Sequence, residues 1–500
     1  MCKPMNKKHK VCLVIIDGWG YNEKITKGDA INETECPWMK LLSNKYQSYL
    51  LRADGEFVGL PAGNMGNSKV GHITIGCGRV VEQELTFINR IISEERMSEY
   101  LADSGIFDNK SDRIHIIGMV SDGGIHSHID HIKSYIRNLK DYYKDIFIHC
   151  ISDGRDTDPM SFLKYYQMIK DFTEEMNAGK VVSLAGRYYT MDRNKNYDRT
   201  QKAFEMMTKG PKTNRSIEEV VHDNYKRKIT DEMFEPVLFD DDGIIRKDDI
   251  ILFPNFRADR MRQIVKSFED FGSKAYTATE YDKNLKSKII FKTKYIKNTL
   301  GAVVSEAGLR QVRIAESEKY AHVTYFFNGG NEQPFKNEER ILERSLEVKS
   351  FAEVPQMSSF QITDQIIKSM KSKFDLIVAN YAAPDMVGHT GNYEAAKEAV
   401  KITDLCIGSV FEAAKTNDYI LIITADHGNV EIMKDENGNP VTKHSTNKVP
   451  LIICKNETGV ISDQWGYNKD VIGELSDIAP TILDLLEIKK PKEMTGKTRL

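Results

Sequence analysis

Three carboxylates and three imidazoles stand where strands are expected to end or begin. Asp17 follows VCLVII, Asp385 and His389 follow FDLIVANY, Asp426 and His427 follow YILIIT, and His444 comes just before VPLIIC. Mixed oxygen and nitrogen donors suit divalent Mn, Zn, Fe or Co, whereas calcium takes oxygens alone. Asp385 and His389 are four apart, and Pro384 precedes them. One helical turn opened by that proline would put both on one side. Asp426 and His427 are adjacent, so their side chains are expected to diverge and to serve two different ions. Any one of these residues alone reads equally well as a helix cap. All six at strand ends point to metal.

Ser68 lies in NMGNSKVGH, residues 64–72, a stretch too poor in apolar residues for a core strand. A serine hydroxyl is a weak nucleophile until its oxygen is stabilised as an alkoxide. A metal pair held by Asp and His does this. The Gly- and Asn-rich backbone lets Ser68 approach such ions closely, so the expected chemistry is phosphoryl transfer through a phosphoserine.

A second set of loops is cationic. SDGGIHSH ends near His126, SDGRDTD supplies Arg155 and Asp156, GRYYTMDR supplies Arg187 and Arg193, and NFRADR supplies Arg257 and Arg260. The guanidinium fork grips phosphate and carboxylate with two hydrogen bonds. The set implies a substrate with more than one acidic group. Each arginine alone reads as a surface ion pair with Asp153, Asp156, Asp192 or Asp259. Asp156, beside Arg155, suits a general base for a substrate hydroxyl. HSHIDH resembles a histidine cluster, but apolar residues at 129, 132, 136 and 139 give a helical period. His126 is therefore assigned to substrate, and His128 and His131 to solvent or capping.

What positions these loops is a repeated unit: a short β-branched run, a chemically loaded loop, then an amphipathic stretch. That alternation predicts α/β architecture with parallel sheets covered on both faces, and ligands at the carboxyl ends of the strands. Five hundred residues exceed one core. The acidic and histidine loops lie near both chain ends and the arginine loops in the middle. This predicts a discontinuous metal-binding domain over 1–82 and 300–500 and an inserted α/β domain over 83–299. The polar stretch 211–232 reads as a surface insertion or helix pair. Net charge is −3, from 70 basic and 73 acidic side chains, which gives no reason to expect nucleic acid or an anionic membrane. Residues 1–10 read as a short frayed leader, and VCLVII is too short for a signal peptide or membrane span. The seven cysteines are scattered without a CxxC pair, which suits buried thiols in a reducing, cytoplasmic compartment.

The motifs IDGWG, GNMGNSKVGH, SDGGIHSH, SDGRDT, GRYYTMDR, NFRADR, EKYAHVTYFFNGG, PDMVGHTG, TADHGN and EMTGK occur in this order from about residue 11 to the C-terminus. Together they resemble the cofactor-independent (2,3-bisphosphoglycerate-independent) phosphoglycerate mutases of the alkaline phosphatase superfamily. The resemblance implies that Ser68 is the phosphorylated nucleophile. It implies one metal on Asp385, His389 and His444, and a second on Asp17, Ser68, Asp426 and His427, with Mn first and Mg, Co or Zn as alternatives. His126, Arg155, Asp156, Arg187, Arg193, Arg257 and Arg260 would hold the glycerate and its phosphate. Lys319 would lie by the phosphate, and Asp156 would serve as base and acid. The implied reaction interconverts 3-phosphoglycerate and 2-phosphoglycerate in a monomer whose two domains close to exclude water. Lys69 stands where the family usually has Glu, Ala383 where it commonly has Asn, and MDRNKNYDR is a loose form of its motif. A metal-dependent phosphomonoesterase or a phosphopentomutase would share the nucleophile and metals. A binding protein with structural metals would need no serine.

Overall fold

The computed structural model describes residues 9–24, 27–292, 296–457 and 464–500. Most of the expected leader, residues 1–8, lies outside the described residues, as does Cys2. The chain divides into two compact units, Met1–Gln83 with Tyr295–Leu500, and Glu84–Lys294.

In the first unit, eight strands among the described residues form one sheet. Their spatial order is Glu338–Glu343, Gln311–Glu316, Leu376–Tyr381, Lys10–Ile16, Tyr419–Thr424, Val449–Cys454, Gln47–Arg52 and Asn468–Glu474. The run Val11–Ile16 is fully buried, as are Leu376–Ala379 and Leu421–Ile423. These strands are apolar throughout because they are covered on both faces rather than one. Helices Ser359–Lys371 and Tyr393–Asn417 pack against each other, and the sheet and helices share one apolar core. Lys10–Ile16 pairs in parallel with Leu376–Tyr381 on one side and Tyr419–Thr424 on the other. Three neighbouring strands therefore end at one edge, and Asp17, the 382–389 turn and Asp426 emerge there together. Val449–Cys454 runs antiparallel to both its neighbours. The connection 425–448 contains no helix, and a parallel return needs a crossover.

In the second unit, seven strands among the described residues are ordered Val237–Leu238, Lys180–Gly186, Asp145–Ser152, Arg113–Met119, Ile250–Phe253, Lys274–Thr277 and Lys288–Ile289. All pairs are parallel except that of Val237–Leu238. Helix Ile129–Leu139 buries Ile129, Ile132, Ile136 and Leu139 on this sheet, following the expected period. The stretch 211–232 holds one α-helix rather than a pair: Ile217–Lys226, opened by a capping box of Ser216 and Glu219. The polar residues of the remainder have a structural task. Buried Asp231 accepts hydrogen bonds from the Ser161 and Phe162 amides and the Tyr225 hydroxyl, anchoring the start of helix Phe162–Met176. The described cysteines are unpaired; all are buried except half-buried Cys454. No helix among the described residues is long and apolar enough to cross a membrane.

Candidate active site

Ser68 is the first residue of helix Ser68–Cys77, and Asn67 caps that helix by accepting from the Val70 amide at 3.2 Å. The helix packs closely on the 426 loop. A Cβ on Gly71 would lie 2.5 Å from the Asp426 carbonyl oxygen, so only glycine fits. This holds the buried Ser68 hydroxyl over the strand ends. Its Oγ donates to Asp17 Oδ1 at 3.0 Å, lies 3.0 Å from His427 Nε2, and accepts from Lys319 Nζ at 2.7 Å. Lys319 is also buried and donates to Asp17 Oδ1 and Asp385 Oδ2, each at 2.6 Å.

Asp385 lies in the turn Ala383–Gly388, which has Pro384 near its start, and His389 follows as the cap. His389 Nε2 and His444 Nε2 are each 3.3 Å from Asp385 Oδ1 and 3.0 Å from one another. Each ring turns its other nitrogen to a backbone carbonyl: His389 Nδ1 to Thr442 at 2.9 Å and His444 Nδ1 to Gly66 at 2.8 Å. A carbonyl only accepts, so both Nδ1 atoms carry hydrogen and both Nε2 lone pairs point into the cluster. Metal-ligating histidines are oriented in this way, and two facing lone pairs beside a carboxylate call for a cation. Asn429 fixes Asp385 Oδ1 at 2.7 Å from its amide nitrogen.

Asp426 and His427 do not diverge as expected. His427 Nε2 lies 3.6 Å from Asp426 Oδ2 and 3.3 Å from Asp17 Oδ1. The strand ends at Thr424, so strand alternation no longer governs this pair. The donor atoms of Asp17, Asp426 and His427 form one group, and those of Asp385, His427 and His444 another. His427 belongs to both.

The electrostatics show the same demand for positive charge. Burial would raise Asp17, but the Lys319 ammonium and the hydrogen bond from His427 hold it well below the carboxylate range. Burial would likewise raise Asp385, but the Lys319 ammonium holds it low. Burial would lower His427, but Asp426, Asp17 and Asp385 push it up to about 10.

In the second unit, the five arginines lie at or just beyond strand ends. Arg187 is 3 % exposed and donates to Asp153 Oδ1 at 2.7 Å and Asp156 Oδ2 at 2.6 Å. Arg193 and Arg257 share Asp259, at 2.9 and 3.1 Å. Arg155 reaches Glu232 at 3.5 Å, and Arg260 donates to the Met191 carbonyl at 3.3 Å. Roughly half of each side chain of Arg155, Arg193 and Arg257 faces solvent, so their free N–H groups are open to an anion. His126 is buried 3.9 Å from both Asp156 and Asp259. Burial, with Arg187 and Arg257 nearby, pushes it down to about 4. His128 caps helix Ile129–Leu139, accepting from the Asp130 amide. His131 is neither exposed nor a cap. It is fully buried against Phe256 and bonded to Asn89 Oδ1 at 2.8 Å.

A family model described as the Metalloenzyme superfamily matches residues 9–490. The 2,3-bisphosphoglycerate-independent phosphoglycerate mutase of Rippkaea orientalis (strain PCC 8801 / RF-1) is 43% identical over 506 residues, covering 98% of this chain and 95% of that protein. The enzyme of the same name from Clostridioides difficile (strain 630) is 42% identical, covering 98% of each. The chain belongs to the family of 2,3-bisphosphoglycerate-independent phosphoglycerate mutases. A crystal structure of Leishmania mexicana phosphoglycerate mutase at low cobalt concentration aligns with a TM-score of 0.69 and 26% identity, covering 99% of this chain and 98% of that one. Membership of a metalloenzyme superfamily carries with it the use of divalent metal, and the donor set above fits one.

Several residues of this mutase-family site were not singled out from sequence. His72 lies within NMGNSKVGH and Asn380 within FDLIVANY, and both contact the Ser68 cluster. Glu431 is fully buried and accepts from the Gly20 and Asn429 amides and from the Ser445 hydroxyl. Asp153 and Asp259 organise the arginines. In the sequence Asp153 and Asp259 read only as surface partners, His72 closes a motif in which Ser68 carries the chemistry, and Asn380 and Glu431 lie outside the motifs.

Proposed function

We propose that this chain interconverts 3-phosphoglycerate and 2-phosphoglycerate through a phosphoserine at Ser68, with no bisphosphoglycerate required. The observation that carries this reading is the Ser68 hydroxyl, at 3.0 Å from both Asp17 Oδ1 and His427 Nε2 and 2.7 Å from Lys319 Nζ. A hydroxyl among acids, imidazoles and an ammonium is suited to leave as its alkoxide and to accept a phosphoryl group.

Asp385, His389 and His444 would hold one divalent ion, and Asp17, Ser68, Asp426 and His427 the second. Mn2+ is our first assignment, with Mg2+, Co2+ and Zn2+ as alternatives. Bound there, such ions supply the charge that stabilises a serine alkoxide and the oxygens of a phosphoryl group. Ser68 would react as its alkoxide, its proton given up to water, and would form the new bond to phosphorus as the bond to the glycerate oxygen breaks. Asp156 gives a proton to the departing hydroxyl and takes one from the other hydroxyl before phosphate returns to it. Arg187 orients that carboxylate. Arg155, Arg193, Arg257, Arg260 and His126 hold the glycerate while it turns, and Lys319 faces the phosphoryl oxygens. A cytoplasmic location, which the unpaired described cysteines support, and a monomeric state complete the reading.

Incubation of the purified chain with 3-phosphoglycerate alone tests it. Appearance of 2-phosphoglycerate with little free phosphate, lost on chelation and restored by Mn2+, supports the mutase. Release of free phosphate in its place overturns it in favour of a phosphomonoesterase.

A further inference from the structure

We propose that His72 and Asn380 are positioning residues that close a ring of hydrogen bonds around the nucleophile. The ring starts at Ser68 Oγ, which donates to Asp17 Oδ1 at 3.0 Å. The other oxygen, Asp17 Oδ2, accepts from Asn380 Nδ2 at 2.9 Å. Asn380 Nδ2 stands 3.1 Å from His72 Nε2, and His72 Nδ1 stands 2.8 Å from the Ser68 carbonyl oxygen. The circuit thus returns to the residue it left, joining the side chain of Ser68 to its own backbone. His72 and Asn380 are both fully buried.

The chemistry of the partners sets every donor in the ring. A carboxylate only accepts, so the amide nitrogen of Asn380, not its oxygen, faces Asp17. That nitrogen has two hydrogens; one goes to Asp17 and the other to His72 Nε2, which must then be a bare acceptor. His72 therefore carries its hydrogen on Nδ1 and donates it to the Ser68 carbonyl. The same Nδ1 lies 3.1 Å from Asp426 Oδ2, which draws the second acid toward the ring.

The consequence is mechanical. Asp17 follows strand Lys10–Ile16, Asn380 sits opposite Ile15 on the neighbouring strand, and His72 is one turn along the Ser68 helix. The ring ties these three elements at one point. It leaves Asp17 Oδ1 and Ser68 Oγ aimed at the same place and pins Asp17 Oδ2 away from it. This inference rests on the reading of Asp17, Ser68 and Asp426 as metal ligands.

The test uses the full-length chain stripped of metal by chelation. In the wild type, the imidazole nitrogen shifts of His72, assigned by comparison with H72N, should report the Nδ1–H tautomer with an unprotonated Nε2. Calorimetric titration with Mn2+ should show N380A binding roughly tenfold to a hundredfold more weakly, the loss expected when a ligand loses its orienting partner. Turnover should fall through kcat, with KM for 3-phosphoglycerate held. H72N keeps a donor near Nδ1 and loses the Nε2 acceptor, so H72N in the N380A background should add little further loss. An Nε2–H tautomer in the wild type overturns the ring, and so does wild-type Mn2+ affinity in N380A. If N380A does not fold, the wild-type tautomer alone decides. The Mn2+ titration needs no turnover, so a wild type that fails to isomerise phosphoglycerate yet loses Mn2+ affinity in N380A would sink the proposed reaction and keep the ring.

Discussion

Lys319 places its ammonium 2.7 Å from Ser68 Oγ, although 251 positions separate the two residues. The same ammonium bridges Asp17 and Asp385 at 2.6 Å each. All four side chains are buried. A cation so placed offsets acids that would otherwise repel one another in a low-dielectric site.

Lys319→Met should therefore destabilise the metal-free chain by about 3–5 kcal/mol, the cost of leaving buried charges without their partner. Divalent metal should recover most of that loss, because it brings positive charge to the same carboxylates. Thermal melts of wild type and variant, each with chelator and with Mn2+, measure both effects. An equal loss in the two conditions would show that Lys319 acts through packing alone.

Ser68→Ala removes the group that takes up phosphate but leaves the carboxylates and imidazoles in place. Turnover should fall by at least about a thousandfold, as when other enzymes lose a nucleophile. Mn2+ should still bind, more weakly. Wild type quenched in acid during turnover should carry phosphate on the peptide containing Ser68, and the variant should carry none. Residual isomerisation near the wild-type rate in the variant would exclude a phosphoserine at this position.

Much of this site was legible because the pieces that make it are local. VCLVII and YILIIT announce buried parallel strands by their continuous run of β-branched and other apolar residues, and the acids just beyond them, Asp17 and Asp426, must then share an edge. What was not legible depends on pairing between distant segments. Asn380 is an ordinary strand residue until register sets it opposite Ile15, beside Asp17. His131 falls next to an apolar helix position, and its burial comes from Phe256, which lies 125 residues further on. The antiparallel course of Val449–Cys454 follows from a ligand-bearing loop that spends its residues on His427 and His444 rather than on a crossover helix.

Arg187 and Arg193 should respond differently to loss. Arg187 is buried across Asp153 and Asp156, so Arg187→Ala leaves two acids without their cation. It should lower the stability of the second unit by about 3 kcal/mol or more as well as weaken substrate binding. Arg193 has 49 % of its side chain exposed and pairs with Asp259 near the surface, where an ion pair contributes about 0–1 kcal/mol. Arg193→Ala should raise KM for 3-phosphoglycerate and leave the melting temperature nearly unchanged. Kinetics and melts of both variants check the split; equal melting shifts would refute it.

Acid should weaken the second unit before the carboxylate range is reached. Burial, with His128 close by, pushes His131 down to about 3. Its Nε2 donates to Asn89, and its buried Nδ1 has no partner among the described residues, so a second proton there would be an unpaired buried charge. Burial also lowers His126, to about 4, and depresses His115 and His149. In the unfolded chain each would titrate near about 6.5. Above that pH neither state binds the proton, and the contribution to stability is complete. As pH falls below about 6.5, the unfolded state takes up protons that the folded state refuses, at His131 and His126 until about pH 3–4; His115 and His149 act in the same direction. Each histidine then removes up to about 1.4 kcal/mol of stability per pH unit. His131→Gln retains an amide donor for Asn89 but cannot titrate, so it should flatten this slope between about pH 6.5 and 4 by one proton's worth. Amide exchange in the strands Arg113–Met119 and Asp145–Ser152, followed against pH in both proteins, measures the difference. Identical slopes would mean that His131 is protonated in the folded state.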